Sequence, residues 1–93
     1  MPALTQDLSM VVPLSVSAQE LLSEIRIVGG EILEDIKLVD QYQGEGISSD
    51  KKSLTFSMLF RAKDRTLTQS EANETKERAV AACKEKFAAE LRS

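Results

Sequence analysis

Histidine and tryptophan are absent from this 93-residue chain, cysteine occurs once, and aromatic residues make up only 4% of it. Each shortage removes a class of function. Without histidine there is no imidazole general base and no Ser-His-Asp triad. With one cysteine as well, no structural zinc set can be assembled. That cysteine, Cys83, cannot form an internal disulfide, which points to a reducing, cytoplasmic compartment. No apolar run approaches the roughly 18 residues that span a bilayer, and no basic-then-apolar segment opens the chain as a signal peptide. Carboxylate and lysine chemistry remain available, but catalysis by this chain alone is not expected.

What is present is the composition of an ordinary globule, 42% apolar and 29% charged. The length suits one domain that buries roughly 60–65% of its unfolded surface. The net charge of -3 conceals an asymmetry: residues 1–50 hold nine acids against two bases, and residues 51–65 hold five bases against one acid. A basic block in an acidic chain serves either as a polyanion contact or as a solvated strand and turn.

Leu8–Val12 alternates like a strand and stops at Pro13. Ser17-Ala18-Gln19-Glu20 has the form of a capping box, Leu21, Leu22, Ile25 and Val28 follow at helical spacing, and Gly29-Gly30 ends the run. A second strand is expected from Ile32 to Tyr42, then a loop from Gly44 to Asp50. Between Ser53 and Ala62, Leu54, Phe56, Met58 and Phe60 point one way, and Ser53, Thr55, Ser57, Leu59 and Arg61 the other. A greasy face backed by a small, polar one predicts a sheet covered on one side. Thr68-Gln69-Ser70-Glu71 caps a long helix whose stripe of Ala72, Ala79, Val80, Cys83 and Phe87 puts Cys83 in the packing. Ala88–Arg92 is expected to form a short last strand. The order is that of an α+β, ferredoxin-like βαββαβ fold: a four-stranded antiparallel sheet, first and third strands central, with two helices on one face.

That fold hosts many functions, so the open face must discriminate among them. An ordinary RNA-recognition motif stacks bases on aromatics of the two central strands. Here those positions are Asp7, Ser9, Val11, Thr55, Ser57 and Leu59. An acylphosphatase-like site needs an arginine after the first strand, where Pro13-Leu14-Ser15 has none. Neither glycine cluster has the strand–loop–helix order of a phosphate loop.

One constellation suits a nucleobase. Asp40 and Tyr42 share a face, and the returning chain brings Lys52 and Ser53 alongside. The carboxylate can accept from guanine N1 and N2, the Ser53 hydroxyl can donate to O6, and the phenol ring can stack. The competing reading is a tyrosine packed on its hairpin, with Asp40 bonding the loop backbone. Ile36 and Leu38 would share the face of Asp40 and Tyr42 unless a bulge intervenes, so a bulge is predicted.

Several fragments in order carry a family resemblance: Pro2-Ala3 before Asp7–Val12, Asp40-Gln41-Tyr42-Gln43-Gly44, Lys52-Ser53-Leu54, Phe60-Arg61, Asp64–Thr68 with Glu71 and Asn73, and Ala89–Arg92. Over essentially its whole length the chain resembles the ferredoxin-fold anticodon-binding domain at the C-terminus of bacterial phenylalanyl-tRNA synthetase β subunits. The resemblance implies a single domain over residues 1–93, a piece of a longer chain, that recognises the anticodon stem-loop of a phenylalanine tRNA. It implies that the residues matching Asp40, Tyr42 and Ser53 meet the first anticodon base, a guanine. Catalysis would belong to the α subunit, with ATP and magnesium used by the parent enzyme and no cofactor in this domain. The other partners would be the rest of the β subunit and the α subunit, with no membrane.

Two departures stand out. The resembled family usually has arginine where this chain has Gln6, and often an aromatic where it has Val39, for which a repacked core is expected. Arg61 is read either as a phosphate contact or as the end of a strand, and Arg65 as a tie between strand end and helix start. With few bases near the trio, the isolated domain is expected to bind weakly. The alternative class is a ferredoxin-like protein-docking or regulatory module that does not read RNA.

Overall fold

Both helices begin where the sequence supplies reciprocal caps. In the computed structural model, which describes residues 2–92, Ser17 Oγ accepts from the Glu20 amide while Glu20 Oε1 accepts from the Ser17 amide, at 3.1 and 3.0 Å. Thr68 and Glu71 repeat the arrangement at 3.2 Å each way. These boxes open α1 (Ala18–Gly29) and α2 (Gln69–Phe87). Gly29 is buried against Leu33, so close that a Cβ there would lie 2.5 Å from its side chain, and Gly30 at φ 58 turns the chain out of the helix.

The strands are β1 (Leu4–Pro13), β2 (Leu33–Tyr42), β3 (Lys51–Phe60) and β4 (Glu90–Leu91), all antiparallel in the order β2-β3-β1-β4. The ferredoxin-like order and the two central strands agree with the expectation. Several boundaries differ from it, among them that of β4, which spans Glu90–Leu91 rather than Ala88–Arg92 because Ala88, at φ 57, is the left-handed cap of α2. β1 starts four residues before Leu8, because Leu4–Asp7 pair with Phe60–Ser57 although they lack the alternation of a strand. β3 runs from Lys51 to Phe60 instead of Ser53 to Ala62: Lys51 and Lys52 pair with Pro13 and Val12, whereas Arg61 already leaves the ladder.

The helices pack on one face, over Leu8, Met10, Val12, Leu54, Phe56, Met58 and Phe60, which are all fully buried. Each such side chain contributes about 1.5–3 kcal/mol relative to exposure. From α2, Ala72, Thr75, Ala79 and Cys83 meet this layer. Thr75, polar and missed by the apolar stripe, donates its hydroxyl to the Glu71 carbonyl at 3.0 Å and is thereby satisfied. Cys83 is a free, buried thiol, pushed up to about 11 by burial and then by Glu24, so its role is packing. Lys86 donates to Glu24 at 3.0 Å and ties α2 to α1. Arg65 joins the strand end to the second helix as expected, with two contacts of 2.7 Å to Glu71.

Among the described residues, no helix is long and apolar enough to cross a membrane.

Candidate nucleic-acid interface

Register decides which side chains reach the open face of the sheet. β2 carries two irregularities, between Leu33 and Asp35 and between Leu38 and Asp40. The second is the predicted bulge. Ile36 and Leu38 pair with Met58 and Phe56 on the helix side, and past Val39 the parity flips, so Asp40 pairs with Thr55 and Tyr42 with Ser53. Val39 itself is 50% exposed, which corrects the expectation of a repacked core: as the extra residue of the bulge it lies outside the packed layer.

The open face can therefore be laid out in rows across β2, β3, β1 and β4. One row is Tyr42, Ser53, Val11 and Glu90; the next is Asp40, Thr55, Ser9 and Arg92, whose amide donates to the Ser9 carbonyl at 2.8 Å. Below them lie Lys37, Ser57 and Asp7, then Asp35, Leu59 and Thr5. The centre is small and polar, and Ser9 and Thr55 share a hydroxyl–hydroxyl bond of 2.6 Å.

Tyr42 is held at its tip. Its hydroxyl donates to the Glu45 carbonyl at 2.8 Å, and Gly44, at φ 140, passes so close that a Cβ there would sit 3.3 Å from that oxygen. The hairpin is closed further by bonds from Ile47 to Gly44 and from Lys51 to Ser48. So the packed-tyrosine reading holds for the hydroxyl, while the side chain remains 37% exposed. Asp40 is exposed, and its carboxylate makes no hydrogen bond or ion pair to any described residue, contrary to the reading in which it bonds the loop backbone. Its acceptor oxygens remain available.

Arg92 is the residue that sequence reasoning missed. It stands on the far edge of the sheet, about 14 Å from β2 at three strand spacings, yet its guanidinium carbon lies 5.3 Å from the Tyr42 ring centroid. The contact is a cation–π pair across the open face. Only topology brings positions 42 and 92 together, and no local pattern announces it.

Ser53 lies between Tyr42 and Val11 in the ladder and is 2% exposed. Its hydroxyl has no hydrogen-bond partner among the described residues. A buried hydroxyl of this kind costs about 1–3 kcal/mol and leaves a donor that no described group uses.

Two sequence-predicted site residues do not join this group. Lys52 pairs with Val12 and alternates to the helix side, so it does not come up beside Ser53 on the same face; Lys51 does. Arg61 follows the far end of β3, about 26 Å from Ser53 at eight strand residues. There its Nε lies 3.1 Å from Glu34 Oε1 and its amide donates to the Ile32 carbonyl at 2.9 Å. Gln6 is on the helix side and donates to Asn73. Among the described residues there is no cluster of three or more His, Cys, Asp or Glu side chains that would hold a metal.

The four-stranded antiparallel sheet with two helices on one face is that of a ferredoxin-like domain, and its open face brings together an unpartnered carboxylate, a tethered ring and a buried hydroxyl. The family whose model matches this chain, over residues 1–92, is the ferredoxin-fold anticodon binding domain, and the chain belongs to it. Among its relatives are phenylalanine–tRNA ligase β subunits. That of Leifsonia xyli is 50% identical over 91 residues, that of Corynebacterium glutamicum 45% over 91, and that of Mycobacterium leprae 48% over 92. These matches cover 98–99% of this chain and 11% of each relative.

Proposed function

We propose that the open face reads one unpaired guanine, the first anticodon base of a phenylalanine tRNA, and that this chain does so as part of the β subunit of a cytoplasmic phenylalanine–tRNA ligase. The observation that carries the reading is the bulge at Val39, which turns an unpartnered Asp40 onto the face of a half-exposed Tyr42. Asp40 accepts from guanine N1 and N2, the Tyr42 ring stacks, and Ser53 donates to O6. Adenine has no donor at N1 or C2, so it leaves the Asp40 carboxylate unpaired, and at C6 it presents an amino donor in place of the oxygen to which Ser53 donates. That asymmetry is what lets buried polar groups discriminate.

In the RNA-free protein Arg92 lies against Tyr42 and the Ser53 hydroxyl is covered. The base reaches that hydroxyl when the side chains over it move aside, and the guanidinium is then available to the ribose-phosphate. The face holds Asp7, Asp35, Asp40 and Glu90 against Lys37, Lys51 and Arg92, so charge attracts RNA weakly. One stacked base contributes about 1–3 kcal/mol. The contact therefore works as a specificity check when the remainder of the β subunit and the α subunit hold the tRNA at high effective concentration. ATP and magnesium serve the aminoacylation step and are assigned to those other parts of the enzyme.

Binding of an anticodon stem-loop, with and without its first guanine, to wild type, Asp40→Asn and Tyr42→Ala tests the reading. Preference for guanine should disappear in Asp40→Asn, and affinity should fall in Tyr42→Ala. Equal binding by all three proteins would instead favour a protein-docking role for the sheet.

A further inference from the structure

The loop between β2 and β3 contains a turn whose geometry reaches back to the Tyr42 ring. The Ile47 amide donates to the Gly44 carbonyl at 3.0 Å, so residues 44–47 form one hydrogen-bonded turn with Glu45 and Gly46 at its centre. Gly46 has φ 91, and Ala88 is the only non-glycine with a positive φ among the described residues. A positive φ at the third position, without one at the second, marks a type II turn. The type matters for one carbonyl. At the second residue ψ is about −30° in a type I turn and about +120° in type II, so the peptide between Glu45 and Gly46 is turned over. The oxygen of that peptide, the Glu45 carbonyl, is the acceptor of the Tyr42 hydroxyl at 2.8 Å.

Gly46 therefore aims the group that holds the ring, although it touches nothing itself: a Cβ built on it would meet no atom within 4 Å. Gly44 clears the approach, since a Cβ there would lie 3.3 Å from the Tyr42 hydroxyl. Pairing with Ser53 fixes the Tyr42 backbone, but it leaves the two side-chain torsions to be settled. A free ring on an open sheet face must be ordered by each base that stacks on it, and affinity falls by that cost. The tether orders it beforehand.

We propose that Gly46 and the Glu45 carbonyl are positioning residues for the stacked base. Their type II turn sets the plane of the Tyr42 ring, and the hairpin thereby determines how tightly the guanine is held. The proposal rests on the reading of Tyr42 as the ring that stacks. It also gives a reason for glycine at position 46, where no neighbour excludes a side chain.

The chain has one tyrosine and no tryptophan, so its intrinsic emission comes from Tyr42 alone. Without RNA, time-resolved anisotropy of that emission should show a fixed ring in wild type. Gly46→Val, whose β-branched side chain is excluded from positive φ, should add a fast local decay. Gly46→Asn, a residue the third position of a type II turn accepts, should restore the fixed ring. A labelled guanine-bearing anticodon stem-loop is then titrated at low salt. Gly46→Val and Tyr42→Phe should each weaken binding about threefold to tenfold, the cost of ordering one side chain at an interface. The double variant should bind no more weakly than either single one, and Gly46→Asn should bind as wild type does. Wild-type binding by Gly46→Val, or losses that add in full in the double variant, would overturn the positioning role. Tyr42→Ala separates this proposal from the reading beneath it. Weakened binding by Tyr42→Ala, with none by Tyr42→Phe or Gly46→Val, would overturn the tether and leave stacking in place. Wild-type binding by Tyr42→Ala would overturn both.

Discussion

The two faces of β3 answer to different forces. Toward the helices, Leu54, Phe56, Met58 and Phe60 lose all their exposure, and the alternation that puts them there is determined by the pleat alone. On the other side, Ser53, Thr55, Ser57 and Leu59 are small or modest in size, and their value depends on what the neighbouring strands place beside them. The helix side is a packing problem that one strand can announce. The open side is a placement problem, and it takes β1, β2 and β4 together, with two bulges, to put Asp40, Tyr42, Ser53 and Arg92 at one end.

The sharpest way to break this contrast is Phe56→Ala. Removal of a fully buried ring should cost about 3–5 kcal/mol, most of the stability of a domain this small, and urea unfolding will measure it. Thr55→Ala, one residue away on the open side, loses only the 2.6 Å bond to Ser9, worth about 1 kcal/mol. Equal losses in the two variants would erase the distinction between the faces.

Tyr42→Ala should reverse the pattern. RNA affinity falls by about 1–3 kcal/mol, while the melting temperature moves little because the core lies on the other side of the sheet. Calorimetric titration beside a thermal melt separates the two effects.

Lys51 and Lys52 divide the faces within one dipeptide. Lys51→Ala should make the salt slope less negative by about 0.7, and Lys52→Ala should leave it unchanged. The opposite result would mean that the RNA approaches from the helix side.

Ser53→Ala should leave stability unchanged or raise it slightly, because the hydroxyl has no partner in the free protein. It should nevertheless lower guanine preference. A clear loss of stability would show that the hydroxyl is satisfied within the fold.

The smallest effect is local and belongs to neither face. Arg65, hydrogen-bonded to Glu71, and then the Thr68 amide hold the Glu71 carboxyl down to about 2 from an ordinary 4.5. Because the folded value is the lower one, this interaction stabilises the fold above pH 4.5 and is lost as pH falls from 4.5 to 2. Glu71→Gln should flatten that stretch of the stability curve. Parallel curves for the two proteins would contradict the pairing.

What could be read from the residues follows the same division. Both capping boxes, the buried stripe of α2 and the greasy side of β3 are local patterns, and they appear where the spacing puts them. The bulge at Val39 was legible through a conflict: Ile36 and Leu38 demand one face, Asp40 and Tyr42 the other. The irregularity at Glu34 raised no comparable conflict, because Asp35 had no assigned role. The placement of Lys52 beside Ser53 overlooked strand parity, which puts adjacent residues on opposite faces. Arg61 continued the alternation of β3, but the strand ends at Phe60 and the side chain turns to Glu34. Arg92 was out of reach, since its contact with Tyr42 exists only once four strands are ordered across the sheet.

The most direct measurement is an amide NMR titration of this chain at low salt with a phenylalanine-tRNA anticodon stem-loop and a control loop lacking the first guanine. We expect shifts at Asp40, Tyr42, Ser53 and Arg92, none at Arg61, and their disappearance with the control loop. Shifts that persist unchanged with the control loop, or that fall on the helix side of the sheet, would contradict base reading by the open face.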